Sequence, residues 1–190
     1  MSKTKPFGVR KDLFNKPERY PDANISDLYY DGAVKIHGVK GIKGGAKRLS
    51  AYVDRSTIKK NDSWVDKWKL FFTTSYSTNA TIPPEDILSE PGSACTETFI
   101  VIGPFETKEE MLNCHQYLHP NLVRASLHIA HGTMQVTASV FQFVPLQDFT
   151  SSSDIDWSKS IADIDNQLYR KYNLTEDEIA YIEQLIKPMD

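Results

Sequence analysis

The residue types best suited to binding an anion are concentrated in one short stretch, KIHGVKGIKGGAKRL, at residues 35–49. Four glycines and five Lys or Arg residues share these fifteen positions, and no acidic residue interrupts them. The glycines Gly38, Gly41, Gly44 and Gly45 would let backbone N–H groups approach a phosphate closely, while Lys and Arg supply positive charge. We therefore predict that the stretch holds phosphate groups; the alternative is a surface hairpin without a ligand. The candidate contacts are Lys40, Lys43, Gly44, Gly45, Lys47 and Arg48.

The stretch does not match the known nucleotide-binding loops. A Walker A motif needs a glycine followed by Lys and then Ser or Thr at a fixed offset, and that order is absent. A dinucleotide fingerprint needs G-x-G-x-x-G between a strand and a helix, whereas these glycines stand at positions 38, 41, 44 and 45, before a second predicted strand. The glycine-rich stretch therefore carries neither of these two nucleotide-binding signatures.

Two polar stretches carry the side chains that could read base edges, namely short hydroxyls and amides near the end of a strand or helix. The first is TTSYSTNAT at 73–81, and the second is HGTMQVT at 131–137. In the second stretch, an amide that joins neighbouring loops is an equally good interpretation. The candidate base-reading residues are Ser75, Tyr76, Ser77, Asn79, Thr133 and Gln135.

Charge is distributed unevenly along the chain. Residues 1–70 hold 16 Lys or Arg against 8 Asp or Glu, whereas residues 71–190 hold 6 against 17. The formal net charge of -3 conceals this division. A basic segment suits a polyanion, because Lys and Arg at phosphates release condensed counterions. Lys59, Lys60, Lys67 and Lys69 are expected to extend the basic face.

Metal-dependent chemistry is a weaker alternative. Glu85 or Asp86 together with Glu106 and Lys108 gives the loose pattern of a metal-dependent nuclease. Separately, Cys114, His115 and His119 could ligate zinc, because His residues four apart share a helix face. Neither pattern has the paired spacing that would make it specific. The alternative role of Lys108 is that of an ordinary surface residue. The alternative role of His119 is that of a residue favoured at a helix C-terminus by the helix dipole.

Local patterns predict the elements that would position these residues. Alternating apolar residues indicate strands on both sides of the glycine-rich stretch, and further strands over 68–76, 97–103 and 136–146. Apolar residues at helical spacing predict two helices separated by Pro120, a third from Trp157 to Tyr172, and a fourth opened by a capping box of Thr175 and Glu178. We expect an α+β fold with a mixed body at 1–150 and a helical tail at 151–190. The tail would pack on the body or dock a catalytic domain.

The cellular compartment follows from what the sequence lacks. The first residues contain no apolar signal segment, and no apolar run is long enough to span a bilayer. Two cysteines, Cys95 and Cys114, are too few for a disulfide framework. The expectation is a cytoplasmic protein without a membrane partner.

Five stretches, taken together and in order, resemble one known family. They are KPFGVR, KWKLFFTTSYSTNATIPPEDI, PGSACTETFIVIGPFETKEE, GTMQVTASVFQFVPLQDFT and IDNQLYRKYNLTEDEIAYIEQLIKPM. The family is the C-terminal target-recognition region of bacterial restriction-modification adenine-specific DNA methyltransferases, of the type II or IIG kind. The segment GTMQ…FVPLQDF is also similar to recognition domains in type I specificity subunits.

This resemblance implies a double-stranded DNA-binding target-recognition domain that is not an enzyme by itself. The family's catalytic half carries an [DN]-P-P-[FYW] motif, and the nearest string here, IPPE at 82–85, lacks both flanking residues. S-adenosylmethionine is therefore expected only in a catalytic domain, in the same or a separate polypeptide, and this chain is expected to hold no cofactor or metal. The alternatives are a metal-dependent restriction nuclease fragment and a protein-interaction module that docks a methyltransferase.

Overall fold

The computed structural model describes residues 5–74, 86–130 and 138–186, and these form an α+β fold. Packing groups them into two units. The first contains residues 5–74 and 86–107, and the second contains residues 108–130 and 138–186. The boundary predicted at residue 150 would instead divide the second unit between its α3 and α4 helices, defined below.

The first unit is built mainly from strands. It begins with a short helix, α1 (Asp12–Asn15), and its strands are β1 (Ala33–Ile42), β2 (Gly45–Asp54), β3 (Trp68–Thr73), β4 (Ile87–Ser89), β5 (Ser93–Cys95) and β6 (Phe99–Phe105). One sheet has the order β2-β1-β5, in which β1 and β5 are parallel. The other has the order β4-β3-β6 and is antiparallel. The predicted basic hairpin corresponds to β1 and β2.

An apolar core in the first unit joins residues of both sheets. On β1, Val34 and Ile36 are buried and pair with the buried Val53 and Ala51 of β2, as the alternation of side chains along a strand requires. Strand β3 is buried on both faces, with Leu70, Phe71 and Phe72 all nearly inaccessible to solvent. In the sequence these are three consecutive apolar residues, a pattern typical of a strand that is buried on both faces.

The second unit is helical. Its helices are α2 (Lys108–Tyr117), α3 (Asn121–Ala130), α4 (Ile161–Lys171) and α5 (Glu176–Leu185). Pro120 separates α2 from α3, as the sequence predicts. The predicted capping box is present at the start of α5, where the Glu178 N–H donates to Thr175 Oγ1 and the Thr175 N–H donates to the Glu178 carboxylate. Helix α3 packs against both α4 and α5.

An aromatic cluster of Tyr117, Phe149 and Trp157 lies beside these helices. The three ring centroids are 5.4 to 5.7 Å apart, and the Trp157 indole N–H donates to the Asp148 carbonyl at 3.1 Å. The sequence predicts that Trp157 begins a helix, but α4 begins only at Ile161, with Ser160 as its N-cap. Trp157 is buried by aromatic contact rather than by helical periodicity.

The strand predicted over 136–146 is wrong for the part that the structure describes. Residues 140–143 form a short 3-10 helix instead, with Val140 and Phe141 buried. A short apolar run shows that residues are buried without showing the backbone conformation that buries them. None of the helices within 5–74, 86–130 and 138–186 has the length and apolar character needed to cross a bilayer.

Candidate nucleic-acid interface

The basic stretch forms a regular hairpin whose connection is only two residues long. Strands β1 and β2 pair continuously from Ala33 with Asp54 to Ile42 with Gly45, which leaves Lys43 and Gly44 as the turn. Gly44 has φ of +83°, a conformation that favours glycine. Of the four glycines, therefore, only Gly44 lies in the turn, and the other three are strand residues.

The outer part of the hairpin extends beyond the apolar core. Every residue from Lys40 to Lys47 is exposed, whereas Val34, Ile36 and Gly38 are buried on β1. At about 3.3 Å per residue, the three exposed residues of each strand extend roughly 10 Å. The hairpin thus presents a narrow two-stranded ribbon with lysines along it.

Two of the predicted contacts lie together on one face of this ribbon. Lys40 pairs directly with Lys47 across the strands, so their side chains leave the sheet on the same side. Like charges in this position destabilise a hairpin unless an anion lies between or beside them. Among the residues that the structure describes, neither lysine has a carboxylate partner within 4 Å.

Arg48 does not join this pair. It is opposite Val39 and therefore projects from the other face of the hairpin, where its guanidinium lies 6.0 Å from the centroid of the Phe99 ring. A cation over an aromatic ring is a modest stabilising contact at an exposed site. The sequence-predicted group therefore divides into Lys40 and Lys47 on one face, Lys43 in the turn, and Arg48 on the opposite face.

The expected glycine contacts with phosphate are partly replaced by contacts inside the protein. The Gly41 N–H donates to Asn15 Oδ1 at 2.9 Å, and Asn15 Nδ2 donates to the Val39 carbonyl at 3.2 Å. Gly38 is required for packing, because a Cβ at this position would lie 2.3 Å from the Phe14 ring. Asn15 thus fixes the end of the ribbon that is nearest the core. The sequence alone does not reveal this contact, because Asn15 and Gly41 are 26 residues apart.

The expected extension of the basic face through other lysines is wrong at Lys69. Lys69 is fully buried, and its ammonium donates to the carbonyls of Val65 and Lys67 at 3.2 and 2.8 Å. Lys67 forms an ion pair with Glu106. Lys59 and Lys60 are exposed, and the Lys59 ammonium donates to the Ser56 carbonyl.

Two ionisable groups behind the hairpin have lowered pKa values. Burial, assisted by Lys35 and Lys69, lowers the pKa of His37 to about 4, and the His37 ring lies 5.6 Å from that of Phe71. Burial also lowers the pKa of Lys69 to about 8, although nearby Asp66 and Cys95 oppose the effect. At neutral pH His37 is therefore uncharged and belongs to the support of the hairpin rather than to its basic surface.

The alternative metal sites receive no support from the described part of the chain. Glu106 is paired with Lys67, and Cys114 is buried within the second unit. His115 and His119 have ring centroids 4.7 Å apart. Within the described ranges, no three His, Cys, Asp or Glu side chains are grouped as metal ligands.

The predicted base-reading residues Ser75, Tyr76, Ser77, Asn79, Thr133 and Gln135 lie outside the described residues. The same holds for Glu85 of the possible nuclease pattern. The site described here therefore consists of the hairpin and the residues that support it. Comparison with known proteins gives no family model, curated protein or solved structure that matches this chain.

Proposed function

We propose that this chain binds double-stranded DNA and that the β1–β2 hairpin contacts the phosphates. The observation that carries the proposal is the direct pairing of Lys40 with Lys47 on an exposed ribbon. A protein that places two ammonium groups side by side, with no acidic partner among its described residues, has a surface that an anion stabilises. Phosphates spaced along a polymer match a row of lysines better than a single small anion does.

The dimensions of the hairpin support a groove-binding mode. The major groove of B-DNA is about 12 Å wide and admits a two-stranded β-ribbon. The exposed part of the hairpin is such a ribbon, and Lys43 stands at its turn. With the hairpin laid along the groove, Lys40, Lys43 and Lys47 would each reach a phosphate that borders it.

The proposal extends to the biological role. We assign the chain as a target-recognition module of a restriction-modification methyltransferase, acting in the cytoplasm with a catalytic domain in the same or another chain. The support is the resemblance of five ordered stretches to that family. Sequence selectivity would come from the polar stretches that contain Asn79 and Gln135, outside the described residues.

Binding of fluorescent duplexes, measured by anisotropy, tests the DNA-binding proposal. The variant Lys40→Gln/Lys43→Gln/Lys47→Gln should bind several unrelated duplexes more weakly by a similar factor, because phosphate contacts carry no sequence information. The matched control is Lys108→Gln/Lys159→Gln/Arg170→Gln, which removes three exposed positive charges from the second unit. The proposal fails if the triple variant and the control bind DNA equally well.

The non-catalytic part of the proposal has its own test. Titration calorimetry of the purified chain with S-adenosylmethionine should detect no stoichiometric binding, since the family's catalytic motif is missing from the sequence. A methylation assay on duplex DNA should likewise remain at background. Stoichiometric cofactor binding would assign the chain a catalytic role instead.

A further inference from the structure

Strand β2 lies at an edge of its sheet, and the described residues cover its outer side only near its C-terminal end. The sheet has the order β2-β1-β5, so β1 pairs with one side of β2. On the outer side, the Tyr52 N–H donates to the Ser26 carbonyl at 2.7 Å, and the Ser26 N–H donates to the Tyr52 carbonyl at 2.9 Å. The backbone groups of Tyr52 therefore point outward. By the two-residue repeat of a strand, those of Ala46, Arg48 and Ser50 point outward as well.

Residues 46–50 of β2 form what we call the open edge. Among the described residues, none accepts from or donates to the outward backbone groups of this segment. The pairing of β2 with β1 is continuous, so no bulge twists the open edge away from a further strand. The other side of the hairpin differs, because Asn15 bonds to the Gly41 N–H and to the Val39 carbonyl. The hairpin thus has one edge covered by a side chain and one edge available.

The side chains of the open edge restrict what can pair with it. Lys47 and Arg48 are exposed and project from opposite faces of β2. Among the described residues, neither has a carboxylate within 4 Å. Two copies of this chain joined through β2 would bring these cations together, and like charges on paired strands are destabilising. A strand with two adjacent acidic residues would instead place one carboxylate on each face.

We propose that the open edge binds an acidic, extended peptide segment of a partner protein as an added strand. In this mode of recognition, main-chain hydrogen bonds supply affinity and side chains supply selectivity. Ala46, Arg48 and Ser50 would make the main-chain bonds, while the cations on the two faces would select the acidic residues. The proposal goes beyond DNA binding, because it requires the backbone of β2, which phosphate contacts by the lysines do not.

A synthetic peptide tests the proposal on the intact chain. The probe is TVEEVT, acetylated and amidated, in which the adjacent glutamates fall on opposite faces of an extended strand. Titration followed by nuclear magnetic resonance should show that TVEEVT binds at least about threefold more tightly than TVQQVT, which lacks the charges. TVEEVT that is N-methylated on its central amides keeps both charges but cannot pair as a strand, and it should show no binding.

Hydrogen exchange of the protein amides distinguishes strand pairing from attraction between charges. Saturating TVEEVT should slow the exchange of the outward amides of Ala46, Arg48 and Ser50, because they become hydrogen-bonded. The amides of Lys47 and Leu49 point toward β1 in the antiparallel ladder and should change little. Slower exchange at alternate residues is the pattern that an added strand produces.

The variant Ala46→Pro/Ser50→Pro removes two outward N–H groups, but it removes no charge and no hydrogen bond to β1. It should bind TVEEVT at least about tenfold more weakly than the wild type. The matched control Ala46→Thr/Ser50→Thr keeps both N–H groups and should bind normally. The proline variant should keep its affinity for DNA, since all three hairpin lysines remain. If it does not fold, the N-methylated peptide makes the same test without changing the protein.

Several results would overturn the proposal. They are equal binding of TVEEVT and its N-methylated form, equal binding of TVEEVT and TVQQVT, or unchanged exchange of all three outward amides at saturating peptide. Protection of the same amides that grows with protein concentration, without peptide, would assign the open edge to a second copy of the chain instead. A hairpin that fails to bind DNA would leave each of these readouts intact, so the two proposals fail separately.

Discussion

Gly38 has a different role in the structure from the one that the sequence predicts. Its place in a basic, glycine-rich stretch predicted backbone contact with phosphate. In the structure, the Phe14 ring occupies the space that a side chain at residue 38 would need. The sequence could not predict this contact, because it joins a strand to a short helix 24 residues earlier and depends on how the two pack.

Substitution of Gly38 by Ala should therefore destabilise the protein. The added Cβ would lie 2.3 and 2.4 Å from two carbons of the Phe14 ring, so the ring or the strand must move. Overpacking of this kind costs about 1–3 kcal/mol in the free energy of unfolding, which urea denaturation measures. Gly45→Ala is the control, since nothing lies within 4 Å of a Cβ at Gly45. Equal stability of the two variants would contradict the packing role.

The stability of the folded protein depends on pH through His37. It stays neutral in the folded protein until the pH approaches its lowered pKa of about 4, whereas an unfolded chain takes up the proton near pH 6.5. The unfolded state therefore binds more protons between these values. The stabilising effect of a neutral His37 is present above pH 6.5 and is lost as the pH falls through this window.

Replacement of His37 by Gln should remove this part of the pH dependence. Between pH 6.5 and 4 the free energy of unfolding of the wild type should fall by about 1.4 kcal/mol per pH unit more than that of the variant. Urea denaturation at a series of pH values gives both curves. If the curves run parallel, His37 is not held in its neutral form by the fold.

Among the helices and strands, prediction succeeded where a local sequence pattern determines the structure. The hairpin, the break between α2 and α3 and the capped start of α5 follow from alternation, Pro120 and the Thr175–Glu178 pair. Prediction failed where tertiary packing decides. The region around Val140 is a 3-10 helix, and the faces of the hairpin that carry the lysines and Arg48 depend on a register that the sequence does not state.

The N-cap of α5 allows a test of how much one capping hydroxyl stabilises the protein. Thr175→Ala removes the hydroxyl that accepts the Glu178 N–H and should lower the free energy of unfolding by about 1 kcal/mol. Thr175→Ser keeps a hydroxyl and should stay close to the wild type. Thermal or urea unfolding followed by far-UV circular dichroism compares the three proteins. A Ser variant as unstable as the Ala variant would show that the hydroxyl does not cap the helix.

At the scale of the whole molecule, charge separates along the sequence more clearly than the net value of -3 suggests. The basic residues of the first seventy do not form one continuous surface, because Lys67 is paired and Lys69 is buried. The hairpin carries a compact set of three lysines, Lys40, Lys43 and Lys47, on a ribbon that extends beyond the core, while Lys59 and Lys60 are exposed outside the hairpin. The site is thus smaller than the sequence predicts, and its lysines can be tested together.

The salt dependence of DNA binding tests the central proposal most directly. For phosphate contacts, the plot of log binding constant against log salt concentration loses a slope of about 0.9 for each contact removed. Lys40→Gln/Lys43→Gln/Lys47→Gln should therefore flatten the slope by about 2.7 relative to the wild type. The control Lys108→Gln/Lys159→Gln/Arg170→Gln should leave it nearly unchanged. Because the three lysines are exposed, the free energy of unfolding should change by less than about 0.5 kcal/mol. A triple variant that keeps the wild-type salt slope would contradict the proposal that the hairpin holds DNA phosphates.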